Sequence, residues 1–343
     1  LQPLIVISYA ATNNERIWEM RLESRSLAMA MLAALPAIAL AQPAPSDPEA
    51  ANAAAEARYH TLPDSPGSGP HPAIKEVDAK FPDHVVYRPR NLRALGKQKL
   101  GVVVWGNGGC RSDGARQRLH LLELASHGYL VIAPGRIESG PGTAAQGPAP
   151  MDRRVGPPVE TIKTTAPQVA AGIDMALAEN ARAGSPYFGR IDPAQIAVSG
   201  TSCGGLQALM VAADPRIKAV VVHNSGVFKD GSNPIKGLTV DKSLLLKLHT
   251  PVLYILGGPS DVAFPNGSDD FEKIEHVPIV LASIDVGHGG TFREPDGGAV
   301  APVAVDWLAW QLRGEKTAAK RFTGAPCGLC QEPGWTVRRK KID

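Results

Sequence analysis

The stretch Gly200-Thr201-Ser202-Cys203-Gly204-Gly205 constrains this chain more than any other. The run before it, Ile196-Ala197-Val198-Ser199, reads as a β-rich strand, and Leu206 to Ala213 reads as a helix. A G-x-S-x-G pattern between a strand and a helix forces a sharp turn with the serine at its apex. A side chain held there sits in a strained backbone conformation, and its neighbours must be small to let strand and helix pass. Gly200, Gly204 and Gly205 supply that room, and Ser202 is the candidate nucleophile.

Two further apolar runs follow. Pro251-Val252-Leu253-Tyr254-Ile255-Leu256 has the near-continuous hydrophobicity of a strand covered on both faces and ends in Gly257-Gly258-Pro259-Ser260-Asp261. Val277 to Ile284 leads into Asp285-Val286-Gly287-His288-Gly289-Gly290, with Pro278 near the strand's start, where a missing amide is tolerated. Asp261 and His288 therefore fall just past the carboxyl ends of strands, where open α/β sheets build their sites. Nucleophile, acid and histidine in the order Ser202, Asp261, His288 form a candidate triad. Asp285, Asp269 and Asp270 are rivals for the acid. Asp269 and Asp270 are expected to start a helix through Phe271-Glu272-Lys273-Ile274, and Asp285 lies close in sequence to His288.

A fourth element precedes these. Leu100 to Trp105 reads as a buried strand running into Gly106-Asn107-Gly108-Gly109-Cys110. A backbone N–H from the Gly108–Cys110 segment, with Gly109 or Cys110 favoured, and one from Cys203 are the candidate oxyanion donors. A phosphate site is disfavoured, because neither G-K-[ST] nor G-x-G-x-x-G occurs.

Together these motifs resemble the α/β-hydrolase superfamily, and within it the dienelactone-hydrolase-like and bacterial polyester-hydrolase (cutinase-like) branch. The resemblance spans roughly residues 80–322, from the early strand His84 to Pro89 to a closing helix over Ala304 to Leu312. It implies an α/β fold, with a mostly parallel central sheet and helices on both faces. It also implies a serine esterase using Ser202, Asp261 and His288 on a small-molecule or polymeric ester. Two positions depart from the branch. Serine stands where dienelactone hydrolases use cysteine. Asn107-Gly108-Gly109 stands where polyester hydrolases usually carry an aromatic, which weighs against a polymer substrate.

Residues 1–19 read as sequence upstream of a start at Met20. Residues 20–41 read as a secretory signal peptide: Arg21 and Arg25, an apolar run from Leu27 to Leu40, and the small-x-small site Ala39-Leu40-Ala41. The run is too short and too interrupted by Pro36 to span a bilayer. Residues 42–79 read as a Pro/Ala-rich leader, 80–322 as the catalytic domain and 323–343 as a cysteine-containing basic tail. The expected location is secreted or periplasmic, which makes the four cysteines candidates for disulfides. Three pairings are possible. If the amides of the Cys110 loop and of Cys203 aim at one oxygen, these two cysteines stand near bonding distance, favouring Cys110–Cys203 and Cys327–Cys330.

The formal net charge is +3. Arg338, Arg339, Lys340 and Lys341, set against Asp343, account for that excess, so the charge implies no nucleic-acid surface and the run reads as a solvated tail. No H-E-x-x-H or comparable ligand spacing occurs among the nine histidines, and neither a metal nor a cofactor is expected. Helices are expected over 115–126 and 169–183, strands over 129–133 and 217–222, and cleft-shaping loops over 138–159 and 228–246. An amidase, peptidase or acyltransferase could run on the same triad. A secreted binding protein that has lost catalysis is the reading from another class; it usually lacks a triad member, and all three are present here.

Overall fold

The computed structural model describes residues 48–143 and 161–343, with side chains from residue 54 onward. The expected upstream segment, the signal peptide and the start of the leader lie outside these residues, as does most of the 138–159 loop. In chain order the main elements are the helix Pro48–Thr61 (α1), the strands Ala73–Glu76 (β1), His84–Pro89 (β2) and Leu100–Gly106 (β3), the helix Arg118–Ser126 (α2), the strand Tyr129–Pro134 (β4) and the helix Ala166–Ala181 (α3). They continue with the strand Ile191–Thr201 (β5), the helix Cys203–Val211 (α4), the strands Ala219–His223 (β6) and Val252–Leu256 (β7), the helix Phe264–Lys273 (α5), the strand Ile279–Ile284 (β8), the helix Val300–Arg313 (α6) and, after a short helical turn at Lys316–Ala319, the strand Trp335–Lys340 (β9).

The nine strands of the described residues form one sheet in the order β1-β2-β4-β3-β5-β6-β7-β8-β9. The block β4-β3-β5-β6-β7-β8 is parallel, while β1, β2 and β9 pair antiparallel at the two ends. Strand alternation divides the core in two. Val102, Val104, Ile196, Val198, Val220 and Tyr254 pack with Ile173 of α3, Leu206 of α4 and Phe271 of α5. Val103, Trp105, Val131, Ala197, Val221 and Leu253 point the other way, onto Leu121 and Leu122 of α2 and Trp307 and Leu308 of α6. A strand covered on both faces needs apolar residues at successive positions, which is why these runs stood out in the sequence. Local signals set the helix ends: Thr165 and Gln168 form a reciprocal capping box on α3, and left-handed Gly314 ends α6. Among the described residues no helix is long and apolar enough to cross a membrane.

Three expectations are corrected. The packed domain begins before residue 80, because α1 and β1 belong to it. The Arg118 side chain is fully buried and needs partners for its charge. It donates to Tyr59 O at 2.8 Å, Leu62 O at 2.7 Å and Asp64 Oδ1 at 2.8 Å, and its Cζ stands 4.1 Å from the Tyr59 ring centroid.

Nor is the basic run at 338–343 a solvated tail. β9 closes the sheet against β8, Ile284 facing Trp335 and Ile279 facing Lys340. Its basic side chains have partners: Arg338 pairs with Glu272, Arg339 donates to Phe322 O, and Lys340 donates to the carbonyls of Phe271 and Glu272.

Lastly, Asp269 and Asp270 do not start a helix. α5 begins at Phe264 with Pro265 in its first turn, so both aspartates fall in its last turns. Asp270 is buried and accepts from Val227 N, Tyr254 Oη and Lys242 Nζ, tying down the 228–246 stretch. Burial pushes its carboxyl up to about 6, despite Lys242 and these hydrogen bonds.

Candidate active site

Ser202 occupies the turn between β5 and α4 with φ 54° and ψ −125°, a combination that costs an ordinary side chain about 1–3 kcal/mol. The turn is this tight because three glycine backbones touch. A Cβ on Gly204 would lie 2.1 Å from the carbonyl carbon of Gly106, one on Gly106 2.2 Å from Gly204 O, and one on Gly200 2.3 Å from Gly204 O. Gly106, the last residue of β3, was not singled out from the sequence, yet it is as necessary as the glycines of the motif. The strained serine is also held by its own backbone: Ser202 N donates to His223 O at 3.0 Å, and Ser225 Oγ donates to Ser202 O at 2.7 Å.

The structure brings the three distant candidates together. His288 Nε2 stands 2.9 Å from Ser202 Oγ, and His288 Nδ1 stands 2.6 Å from Asp261 Oδ1. An ionised carboxylate only accepts, so Nδ1 carries the proton and Nε2 is left to accept from the serine hydroxyl. Asp261 is buried, and every one of its contacts favours the charged form. Oδ1 also accepts from Ala263 N at 2.8 Å, while Oδ2 accepts from Gly257 N at 3.1 Å and Asn224 Nδ2 at 3.0 Å. Burial alone would raise its pKa; the bonds from His288, Ala263 and Gly257 outweigh burial and hold it below the usual carboxylate range. The rival Asp285 is instead bonded to Ser260, 3.1 Å from its N and 2.6 Å from its Oγ.

Asn224, absent from the sequence reading, links acid and histidine loops. Its Nδ2 donates to Asp261 and also to Gly287 O at 3.1 Å. Its backbone takes a positive φ of 43°, which Asn tolerates better than most residues, but no pattern in the sequence marks that conformation. Backbone bonds from Val286 N and Gly287 N to Gly257 O add a second tie between the loops.

The loop after β3 faces the same cleft through Gly108 and Gly109, the latter at φ 65°. The Cys110 N–H is committed to Asn107 O at 3.0 Å, closing a one-turn 3₁₀ helix. The loop candidates are thus Gly108 and Gly109. Cys203 opens α4, where the first amides have no intrahelical acceptor. Both expected disulfides are present, Cys110–Cys203 with Cα atoms 5.3 Å apart and Cys327–Cys330 with Cα atoms 5.0 Å apart.

The cleft beside Ser202 and His288 measures about 300 Å³. Its described walls include Arg116, Gln117, Phe292 and Arg293; the first two were expected inside a helix over 115–126, but that helix starts only at Arg118 and leaves them beside the cleft. No described residue of the 228–246 stretch lines it, contrary to expectation. Beneath it lies an aromatic cluster. His120 and His223 rings meet edge to face at 4.9 Å, and both contact Trp105 and Phe292. Among the described residues no group of three or more His, Cys, Asp or Glu is placed to hold a metal ion.

No protein-family model matches this sequence, and no curated protein matches it either.

Proposed function

We propose that this chain is a serine hydrolase of the α/β-hydrolase superfamily that cleaves carboxylic esters. The observation that carries the reading is the continuous relay from Asp261 Oδ1 through His288 to Ser202 Oγ, with links of 2.6 and 2.9 Å, opening on a cleft. Ser202 Oγ attacks the ester carbonyl while His288 Nε2 takes its proton, and Asp261 holds the imidazole's tautomer and stabilises its charged form. The amides of Cys203 and of Gly108 or Gly109 stabilise the tetrahedral oxyanion. Collapse expels the alcohol, which leaves with the proton from His288. Water, deprotonated by His288, then releases the acid and restores Ser202. The two disulfides suit an oxidising compartment, in keeping with a secreted or periplasmic enzyme.

The test is a fluorophosphonate probe together with a panel of short chromogenic esters and matched amides. Labelling of Ser202 in the native protein, its loss in Ser202→Ala and faster turnover of esters than amides support the reading. Ester hydrolysis that survives in Ser202→Ala overturns it.

A further inference from the structure

Two cleft arginines share one carboxylate. Arg116 Nη2 stands 2.7 Å from Glu56 Oε2, and Arg293 pairs with Glu56 Oε1. Glu56 belongs to α1, whose Tyr59 fixes the pair from behind. The Tyr59 hydroxyl donates to Arg116 O at 2.7 Å, and Arg293 Cζ stands 5.5 Å from the Tyr59 ring centroid. Burial would raise the Glu56 carboxyl, but Arg116 and Arg293 outweigh it and hold the group low and charged. One negative charge thus stands between two positive ones. Each guanidinium has five N–H donors, of which Glu56 engages only some, and both border a cleft small enough to bring any bound ester near them.

The neighbouring Arg118 shows what a purely structural arginine looks like in this fold. It is wholly buried, and its bonds go to Tyr59, Leu62 and Asp64. The side chains of Arg116 and Arg293 instead keep 18% and 45% of their exposure, on the wall facing Ser202 and His288.

From this arrangement we infer that the preferred substrate is an ester bearing an anionic group, a carboxylate being the simplest, which Arg116 and Arg293 bind while Ser202 acts on the ester carbonyl. Planar guanidiniums recognise carboxylates through paired N–H donors, and Glu56 is a positioning residue that aims the two forks. The inference rests on the hydrolase reading above.

Two substrate pairs test it, one for each side of the ester: 4-nitrophenyl hydrogen adipate against 4-nitrophenyl hexanoate, and 4-acetoxybenzoate against its methyl ester. In at least one pair, kcat/KM for the anion exceeds that for the neutral partner by about tenfold or more, the change one charge-assisted hydrogen bond provides. That ratio falls toward one in the double variant Arg116→Gln/Arg293→Gln, and also as salt rises from ~0.05 to ~0.5 M. A neutral preference in both pairs, or a ratio unchanged in the double variant, overturns the inference. Calorimetric titration of Ser202→Ala protein with 4-acetoxybenzoate and its methyl ester reads the subsite without turnover. Selective binding of the anion that the arginine substitutions abolish supports the subsite even if no ester is cleaved. Absent labelling by the fluorophosphonate sinks only the hydrolase reading, whereas equal binding of the two titrants sinks the subsite.

Discussion

Cys110 and Cys203 join the loop after β3 to the first residue of α4, immediately beside Ser202. The bond closes a loop with a sequence separation of 93 and unites the two backbone segments from which the proposed oxyanion donors come. Closing a loop of that length removes about 4–5 kcal/mol of chain entropy from the unfolded state. The double variant Cys110→Ser/Cys203→Ser is therefore expected to lose about 2–5 kcal/mol in urea unfolding, and to lose kcat through a loosened loop. An equal loss from Cys327→Ser/Cys330→Ser, whose separation is only 3, would show that loop length is not the cause.

Asp261→Asn keeps the size of the acid but removes its charge and presents an amide to His288 Nδ1. Asp261 Oδ1 lies 2.6 Å from that nitrogen and is what selects the tautomer. The expected outcome is a fall in kcat of about 10³–10⁴ with little change in KM, read by steady-state ester hydrolysis. Asn224→Ala, which removes one of the four bonds to Asp261 and the tie to Gly287, lowers kcat less, by about tenfold. An Asn224 variant as impaired as the Asp261 variant would assign the asparagine a direct part in the chemistry.

Gly204→Ala places a Cβ 2.1 Å from Gly106 backbone, which has no side chain to swing aside. Either the turn opens and Ser202 moves, or β3 shifts and carries the Gly108 loop with it. A displacement of about 1 Å costs on the order of 100-fold in rate, so kcat/KM falls at least that far. Gly289→Ala, where a Cβ meets nothing within 4 Å, leaves the melting temperature unchanged and serves as the control.

Much of this architecture was legible because of where its strands lie. β3, β4, β5, β6, β7 and β8 are covered on both faces, so each appears as an apolar run, and the glycine-rich loops at their carboxyl ends mark where Ser202, Asp261 and His288 emerge. β9 was missed because an edge strand reads differently: Thr336, Arg338 and Lys340 alternate with Val337 and Arg339, and charge on an edge prevents further pairing. α1 was missed because its attachment depends on single contacts, Tyr59 with Arg118 and Glu56 with Arg116, which no periodicity announces. Asp269 and Asp270 were misplaced because a carboxylate favours a helix start in general, while Pro265 starts this one earlier. The turn from Asn107 takes up the Cys110 amide, a bond that the glycine-rich run does not announce.

The His120–His223 pair makes stability depend on pH. Both rings are fully buried, and none of their nitrogens has a hydrogen-bond partner among the described residues. Burial drives His120 down to about 3, and burial with the nearby His120 drives His223 well below its ordinary value. The unfolded chain takes up these protons near pH 6.5 while the folded chain refuses them, so stability is complete above that pH and declines as pH falls toward 3. The slope is about 1.4 kcal/mol per pH unit for each histidine. Asp270, raised to about 6, acts in the opposite sense between 6 and 3.8, so the contribution of His120 is read as a difference between proteins. His120→Phe keeps an aromatic ring in the cluster and removes one titrating group. Its urea midpoint is expected to fall less than that of the native chain between pH 7 and 5, and parallel curves would refute the assignment.

The hold of β9 on the sheet combines two forces. Trp335 and Val337 pack against the apolar face that α6 covers, while Lys340 Nζ donates to Phe271 O at 2.7 Å and Glu272 O at 2.8 Å in the last turn of α5. A cation at a helix carboxyl end gains about 0.3–1 kcal/mol from the unpaired carbonyls, and the remaining attachment comes from packing and the ladder with β8. Lys340→Met is therefore expected to cost about 1 kcal/mol, with the difference from the native chain shrinking at high salt. Removing residues 335–343 uncovers the whole β8 edge, Ile279 to Ile284, and leaves an apolar strand with unpaired amides. Concentration-dependent aggregation in light scattering is the expected result, and a truncated chain that stays monomeric with an unchanged melting temperature would show that β9 is dispensable.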